Sequence, residues 1–491
     1  MGEPDVMAAL AWGALALALG CSEAPPPHAV LSAIPRAPVV DGGVLSKAQT
    51  EPPLAPKPDA EADADKPEPR EQRLIARMLE RMSRVRGLAA NKPVPGVVLG
   101  REALIARVKA HVDREVPHEA IVEEGIVQQL LGFIPARFDY EAETYALLSA
   151  QLAGFYEPAD GTMYMAADLD DENATATLAH ELVHALQDQH WDLGKRSKYA
   201  PGQDDRSTAF SALAEGDATS AMADLLVGSA KPGATALDMP DELFTEQIIG
   251  GMSGGPVANT PHVMRMSLVA PYIDGTLFIH ALRRKGGWPA VNRAWESPPV
   301  STEQVLHVDK WEAHEPPIVV DDPTLAALGP GWTVAEDDTY GELGVRLAFG
   351  EWMGAARASR LAAAWGGDRG VLVKNNSAYA FAWHIRYDEA KSKPADAYAS
   401  RAYAEVAQAI EKLGVRPTDG SPLAAARRDP RQDGPKGFAC MERAELGPLA
   451  VARRGRDVVI VAGPANVSSR GWTSAARCAK ARAWVEEIVG R

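Results

Sequence analysis

The chain has 491 residues, 46% of them hydrophobic and 24% charged, with a formal net charge of -15 and three cysteines. That length exceeds what one hydrophobic core organises, so two folded domains plus leader material are expected. The acidic balance argues against a nucleic-acid binder, which needs a basic face to neutralise phosphates, and no nucleic-acid partner is expected.

Residues Met7 to Gly20 form an apolar stretch (MAALAWGALALALG) ending at Cys21, too short to span a bilayer and of signal-core length. It resembles a bacterial lipoprotein signal, in which small residues precede a cysteine that is lipidated and becomes the mature N-terminus. Residues 1–21 are therefore expected to be a leader and the protein exported, either as a cell-envelope lipoprotein anchored through Cys21 or secreted. From 22 to 70 the chain is rich in Pro, Ala and acidic residues, with too little apolar surface to offset the entropy of ordering it. It reads as a tether, extended at about 3.1 Å per residue and reaching on the order of 100 Å. The charge runs at Glu51 to Glu71 and beyond Arg427 read as solvated surface.

Helical periodicity starts near Arg73, with Leu74, Ile75, Met78, Leu79 and Met82 spaced by three and four. Further helices are expected at Glu102 to Glu115, Glu119 to Leu131 and Glu141 to Leu152. GFYEPADGTMYMA reads as a hairpin around a Pro-Ala-Asp-Gly turn. Helices follow at Thr175 to His190 and Ser207 to Leu226. The Gly- and Pro-rich stretch from Gly228 to Pro261 reads as a loop-rich cleft wall, and helices return at Gly275 to Arg284 and Trp288 to Ala294. Beyond Asp322, helices are predicted at Tyr340 to Leu347, Met353 to Ala364 and Ala395 to Leu413. Strands are predicted at Val371 to Lys374, Ala380 to Arg386, Phe438 to Glu442 and Val458 to Ala462. The fold class expected is α+β: a mostly helical catalytic domain with a small sheet over 71–321, then a smaller α+β domain over 322–491. Cys440 and Cys478 either form one disulfide in that second domain or stay unpaired.

The chemical signal is His180-Glu181-Leu182-Val183-His184 within TLAHELVHALQDQHWDL. Histidines four apart on a helix share a face, so both imidazoles reach one tetrahedral zinc. Leu178, Leu182, Ala185 and Leu186 form a stripe for the core on the other side. Glu181 is placed to act as general base on a metal-activated water. An accidental match in such a chain has a probability on the order of one in a hundred. For the third ligand two candidates stand. His190 sits where HExxHxxGxxH places its last histidine, but Gln187 occupies the glycine position of that pattern and favours continuing the helix. Glu215, in AFSALAEGDATSAM, lies on the next helix, where Ala212, Ala214, Gly216 and Ala218 permit close approach; it is the preferred ligand.

The segment from about Leu152 to Leu226 resembles the gluzincin peptidases, the thermolysin-like clan, and especially bacterial lipoproteins carrying an AHELVHALQDQH helix followed by an ALxEGDA helix. The similarity continues through PYIDGTLFIHALRRKGGW and PPVSTEQVLHVDKW to WGGDR at Trp365 to Arg369. The resemblance implies a zincin fold, a zinc cofactor and hydrolysis of a protein or peptide substrate. It also implies an edge strand just upstream of the metal helix that pairs with substrate, the place held here by GFYEPADGTMYMA. It further implies an oxyanion donor downstream of the third ligand, for which His307 is the first candidate and Tyr272 the second. His280 reads as a core histidine. Asp188 and Asp217 read as solvent-facing or capping residues that could instead orient the histidines. The reading from another class is a zincin-fold lipoprotein that has become a catalytically silent binding module.

Overall fold

The computed structural model describes residues 70–169, 171–251, 260–391, 394–413, 427–428 and 437–490. The leader and the tether expected over 1–21 and 22–70 lie outside them, except Arg70, where the first helix begins.

The chain is α+β with two sheets. Helix α1 (Arg70–Arg86) leads into strand β1 (Gly96–Leu99) and helices α2 (Arg101–Glu115), α3 (His118–Leu131) and α4 (Tyr140–Gln151). Asp139 caps α4 by accepting from the Ala142 amide. Gly132 ends α3 in the left-handed conformation that glycine adopts without penalty. The expected hairpin forms as β2 (Gly154–Glu157) and β3 (Thr162–Ala166), with Tyr156 opposite Met163. β1 joins the far side of β3 in parallel, giving the order β1-β3-β2, so β2 is an edge strand.

Next come α5 (Asp171–Trp191), the short α6 (Leu193–Arg196) and α7 (Asp204–Ala230). The stretch expected to be loop-rich contains a helix, α8 (Asp241–Gly251), whose Phe244 and Ile248 turn inward at helical spacing. The two helices expected between Gly275 and Ala294 are parts of one longer element, α9 (His262–Glu296), kinked where Gly286 and Gly287 leave helical geometry. Short helices α10 (Thr302–Leu306) and α11 (Val308–Glu312) lead to the second sheet.

That sheet is antiparallel, in the order β4-β5-β6-β10-β9-β8-β7 with β11 on β10. Its strands are β4 (Thr333–Asp338), β5 (Trp365–Asn375), β6 (Ala378–Tyr387), β7 (Arg427–Arg428), β8 (Phe438–Arg443), β9 (Gly447–Arg454), β10 (Asp457–Ser468) and β11 (Gly471–Thr473). Between them lie α12 (Gly341–Met353), α13 (Ala355–Ala362) and α14 (Ala397–Leu413), and α15 (Cys478–Val489) closes the chain. Alternation along the strands fills both faces. Leu372, Phe381 and Trp383 pack under α12 and α14, while Val371, Val373, Ala380 and Ala382 pack under α15 with Trp484 and Ile488. Cys440 and Cys478 are bonded, tying β8 to the start of α15. Ile126, Val127, Leu130 and Leu131 of α3 belong to the core beneath α12 and α14, so the two halves of the chain share it.

Where the halves meet, acidic residues are buried together. Asp204 and Asp205 open α7, and the Asp204 amide donates to Asp338 of β4. Asp205 Oδ1 accepts from the Thr302 amide at 2.7 Å and from its hydroxyl at 2.6 Å. Burial pushes the Asp205 carboxyl up to about 8 despite those hydrogen bonds, with Asp368 and Glu303 adding like-charge repulsion. An acid raised on folding holds its proton longer folded than unfolded. Its contribution to stability is therefore complete below the unfolded pKa of about 4 and is lost as pH rises towards 8. The melting temperature should fall by several degrees, roughly, between pH 6 and 9, and Asp205→Asn should flatten that slope. A variant with the wild-type slope would take Asp205 out of the account.

Candidate metal centre

α5 is buried on both faces for most of its length, because it lies between the first sheet, α1 and α7. Leu178, Leu182, Ala185 and Leu186 join Tyr156, Met163, Ile75, Leu79 and Met82 in one core cluster, as the apolar stripe predicts. The opposite face carries His180 and His184, each 3% exposed.

Glu215 comes from α7, which crosses beside α5 with Ala218 and Ala221 in the shared core. Glu215 Oε2 lies 3.1 Å from His180 Nε2 and 3.4 Å from His184 Nε2, and the two nitrogens are 3.1 Å apart. Zinc with ligands at 2.0–2.1 Å in a tetrahedron separates any two of them by about 3.3 Å, so the spacing fits that ion. The donor chemistry fits too: two imidazole nitrogens and one carboxylate converge, and Glu215 Oε1 is buried with no hydrogen-bond partner. Burial opposes charge on either kind of group. Even so, His184 and His180 hold the Glu215 carboxyl down at about 2, and Glu215 in turn pushes His184 up to about 9.

Glu181 is fully buried, and its Oε2 accepts the Tyr156 amide at 2.7 Å. That amide belongs to edge strand β2, so the expected rail lies directly beside the expected base, with all four of its residues buried. Tyr272 of α9 stacks on His180, ring centroids 6.0 Å apart at 29°. His307, the first candidate for oxyanion donor, is placed elsewhere: its Nε2 meets Glu342 of α12 at 3.0 Å. Of the two candidates, the fold brings Tyr272 to the histidines.

The remaining candidates separate cleanly. α5 continues helical through Gln187 to Trp191, carrying His190 to the surface, where its Nε2 meets the Ala89 carbonyl at 2.8 Å. His280 is buried against Asp241 and the edge of Phe244, a core histidine as read. Asp188 caps the Gly194 amide and accepts the Tyr156 hydroxyl. Asp217 is fully buried, where a solvent-facing or capping place was the preferred reading. Gln187, read only as a residue that keeps the helix running, places its Oε1 2.8 Å from His184 Nδ1. No sequence signal marks that role beyond its position one turn after His184.

A second acidic group, Glu303, Glu315 and Asp388, surrounds the Lys310 ammonium, which supplies the positive charge there.

Residues 332–470 match the family model of a domain of unknown function (DUF8575). The match runs from β4 to the turn after β10 and does not include the metal centre. No curated protein and no solved structure matches the chain.

Proposed function

We propose that the chain is a zinc-dependent peptidase of the zincin type, with zinc held by His180, His184 and Glu215. The observation that carries this reading is the convergence of those three side chains, at separations suited to one tetrahedral ion, beside a glutamate on the same helix. The small sheet with its edge strand against the metal helix supports the zincin assignment.

When bound, zinc supplies Lewis acidity towards water and towards a carbonyl oxygen. Glu181 takes the proton of the attacking water as its oxygen bonds to the carbonyl carbon, then delivers that proton to the amine nitrogen as the C–N bond breaks. Its hydrogen bond to the Tyr156 amide fixes the carboxylate for that transfer. Tyr272, whose ring stacks on His180, is the candidate donor to the oxyanion. The substrate class is protein or peptide.

One observation favours the silent binding-module reading: His180, Glu181, His184 and Glu215 are between 0% and 3% exposed, which leaves a substrate little access. Metal analysis combined with a peptide-library digest separates the two. Wild type should contain about one zinc and cleave; Glu181→Gln should retain the zinc and lose at least about 10²-fold in turnover. Zinc without cleavage in either protein would leave the binding module standing, and near wild-type cleavage by Glu181→Gln would remove the general-base assignment.

Export through the leader, with anchoring at Cys21, belongs to the same proposal. The Cys440–Cys478 disulfide supports an oxidising compartment. Among the described residues no helix is long and apolar enough to cross a membrane.

A further inference from the structure

Behind the metal centre, three buried side chains from three helices form one hydrogen-bonded line. Gln187 of α5 donates its Nε2 to the Ala214 carbonyl at 3.0 Å and to Asp217 Oδ2 at 3.2 Å. Both partners only accept, so the amide NH2 must face them and Oε1 must face His184. Asp217 also takes the Trp295 indole N–H on Oδ2 at 2.8 Å and the Arg86 Nε–H on Oδ1 at 2.5 Å. Arg86, at the end of α1, is 0% exposed. Its guanidinium lies 4.5 Å from the centroid of the Trp288 ring, and its two terminal nitrogens have no hydrogen-bond partner.

We propose that Arg86, Asp217 and Gln187 are positioning residues that decide which ring nitrogen of His184 carries the proton. The inference rests on the zinc reading of His180, His184 and Glu215. A neutral imidazole has one N–H and one lone pair. Because Gln187 presents an oxygen, His184 is protonated at Nδ1, and its Nε2 lone pair points at His180 and Glu215, as a zinc ligand requires. Arg86 sets the polarity of the whole line. A buried guanidinium with a single hydrogen-bonded partner tolerates only an acceptor there, because an unpaired buried charge is costly.

The test reverses that polarity. In Asp217→Asn, Arg86 should hold the new amide oxygen, so the Asn NH2 faces Gln187 and the Trp295 indole N–H loses its acceptor, a neutral hydrogen bond that costs less than an unpaired buried guanidinium. Gln187 then turns its oxygen towards residue 217, giving up its bond to the Ala214 carbonyl, and its NH2 towards His184, and the imidazole must accept at Nδ1 and carry its proton on Nε2, in the ligand position. Zinc affinity, measured by chelator competition, should fall roughly 10- to 100-fold. In the zinc-free protein, at a pH above the value of about 9 to which Glu215 raises His184, so that the ring is neutral, histidine ¹⁵N shifts should report His184 protonated at Nδ1 in wild type and at Nε2 in the variant. Adding Gln187→Glu to Asp217→Asn supplies an oxygen to His184 and to the Asn NH2, though not a donor to the Ala214 carbonyl, and should bind zinc about threefold or more tighter than Asp217→Asn alone, a rescue that a merely structural role would not give. Gln187→Leu spares the Arg86–Asp217 pair and should let both tautomers coexist, so the inference is tested even if Asp217→Asn fails to fold. Unchanged tautomers and affinity in the single variants, or a double variant no better than Asp217→Asn, would overturn the inference. A wild type that binds no zinc would sink the peptidase reading, while the ¹⁵N shifts would still decide the role of the three residues.

Discussion

Glu215→Ala should strip zinc from the protein, whereas His190→Ala should leave it fully loaded. The two residues were rivals in the sequence, and geometry separates them. Glu215 Oε2 stands within 3.4 Å of both histidine nitrogens, and removing it leaves two neutral ligands with no countercharge for a divalent ion. The loss should exceed the roughly 10- to 100-fold typical of residues that only support a ligand. His190 lies six residues beyond His184, about 9 Å along the helix, and is engaged with the Ala89 carbonyl. Replacing it should disturb only the contact between the end of α5 and the chain after α1. Metal content after dialysis against a weak chelator reads both variants; zinc lost with His190→Ala and kept with Glu215→Ala would reverse the ligand assignment.

Gly275→Ala should be a severely damaging single-methyl change. α7 and α9 cross with their backbones nearly touching. A Cβ on Gly275 would lie 2.0 Å from the Ala212 carbonyl oxygen, and one on Gly216 would lie 2.1 Å from the Gly275 carbonyl carbon. Neither obstacle is a side chain that can swing aside, so one helix must shift as a body, and Glu215 shifts with α7. The cost should be about 3 kcal/mol or more, at the upper end of overpacking effects, with weakened zinc binding besides. Gly228→Ala is the internal control. It sits on the same α7, where its new Cβ would come no nearer than 3.4 Å to the Ala234 carbonyl oxygen, and the gain in helix propensity should make it neutral or mildly stabilising. Equal melting temperatures for Gly275→Ala and wild type would mean the crossing is looser than described.

The glycine and alanine stripe on α7 shows how far sequence alone reaches. Ala212, Ala214, Gly216 and Ala218 were read as one surface turned to the metal helix. The fold divides them: Ala218 faces α5, while Ala212 and Gly216 face Gly275 of α9. A helix buried on all sides has no polar face to mark its orientation, so periodicity cannot assign neighbours. The His180 and His184 pair was legible because four residues on a helix is a local distance. Gln187, Asp217 and Arg86 were not, because their meeting depends on tertiary packing across as many as 131 residues. Strand β4 escaped notice for a related reason. Its sequence, TVAEDD, is rich in residues that disfavour strands, and its Glu336 and Asp338 are nevertheless buried. Helix α15 carried a readable pattern, with Cys478, Ala481, Trp484, Val485 and Ile488 all inward, yet no element was predicted there.

The core that α3 shares with the second sheet bears on how such a chain could have been assembled in evolution. Val127, Leu130 and Leu131 are at most 2% exposed because strands and helices beyond residue 332 cover them. A gene that lost the segment matching the domain of unknown function would leave that greasy helix face bare, inviting aggregation. The matched segment, for its part, ends before β11 and α15, and so lacks Cys478 and the helix that covers one face of its sheet. Each piece thus carries an apolar surface that the rest of the chain covers, and removing its cover would expose that surface to water.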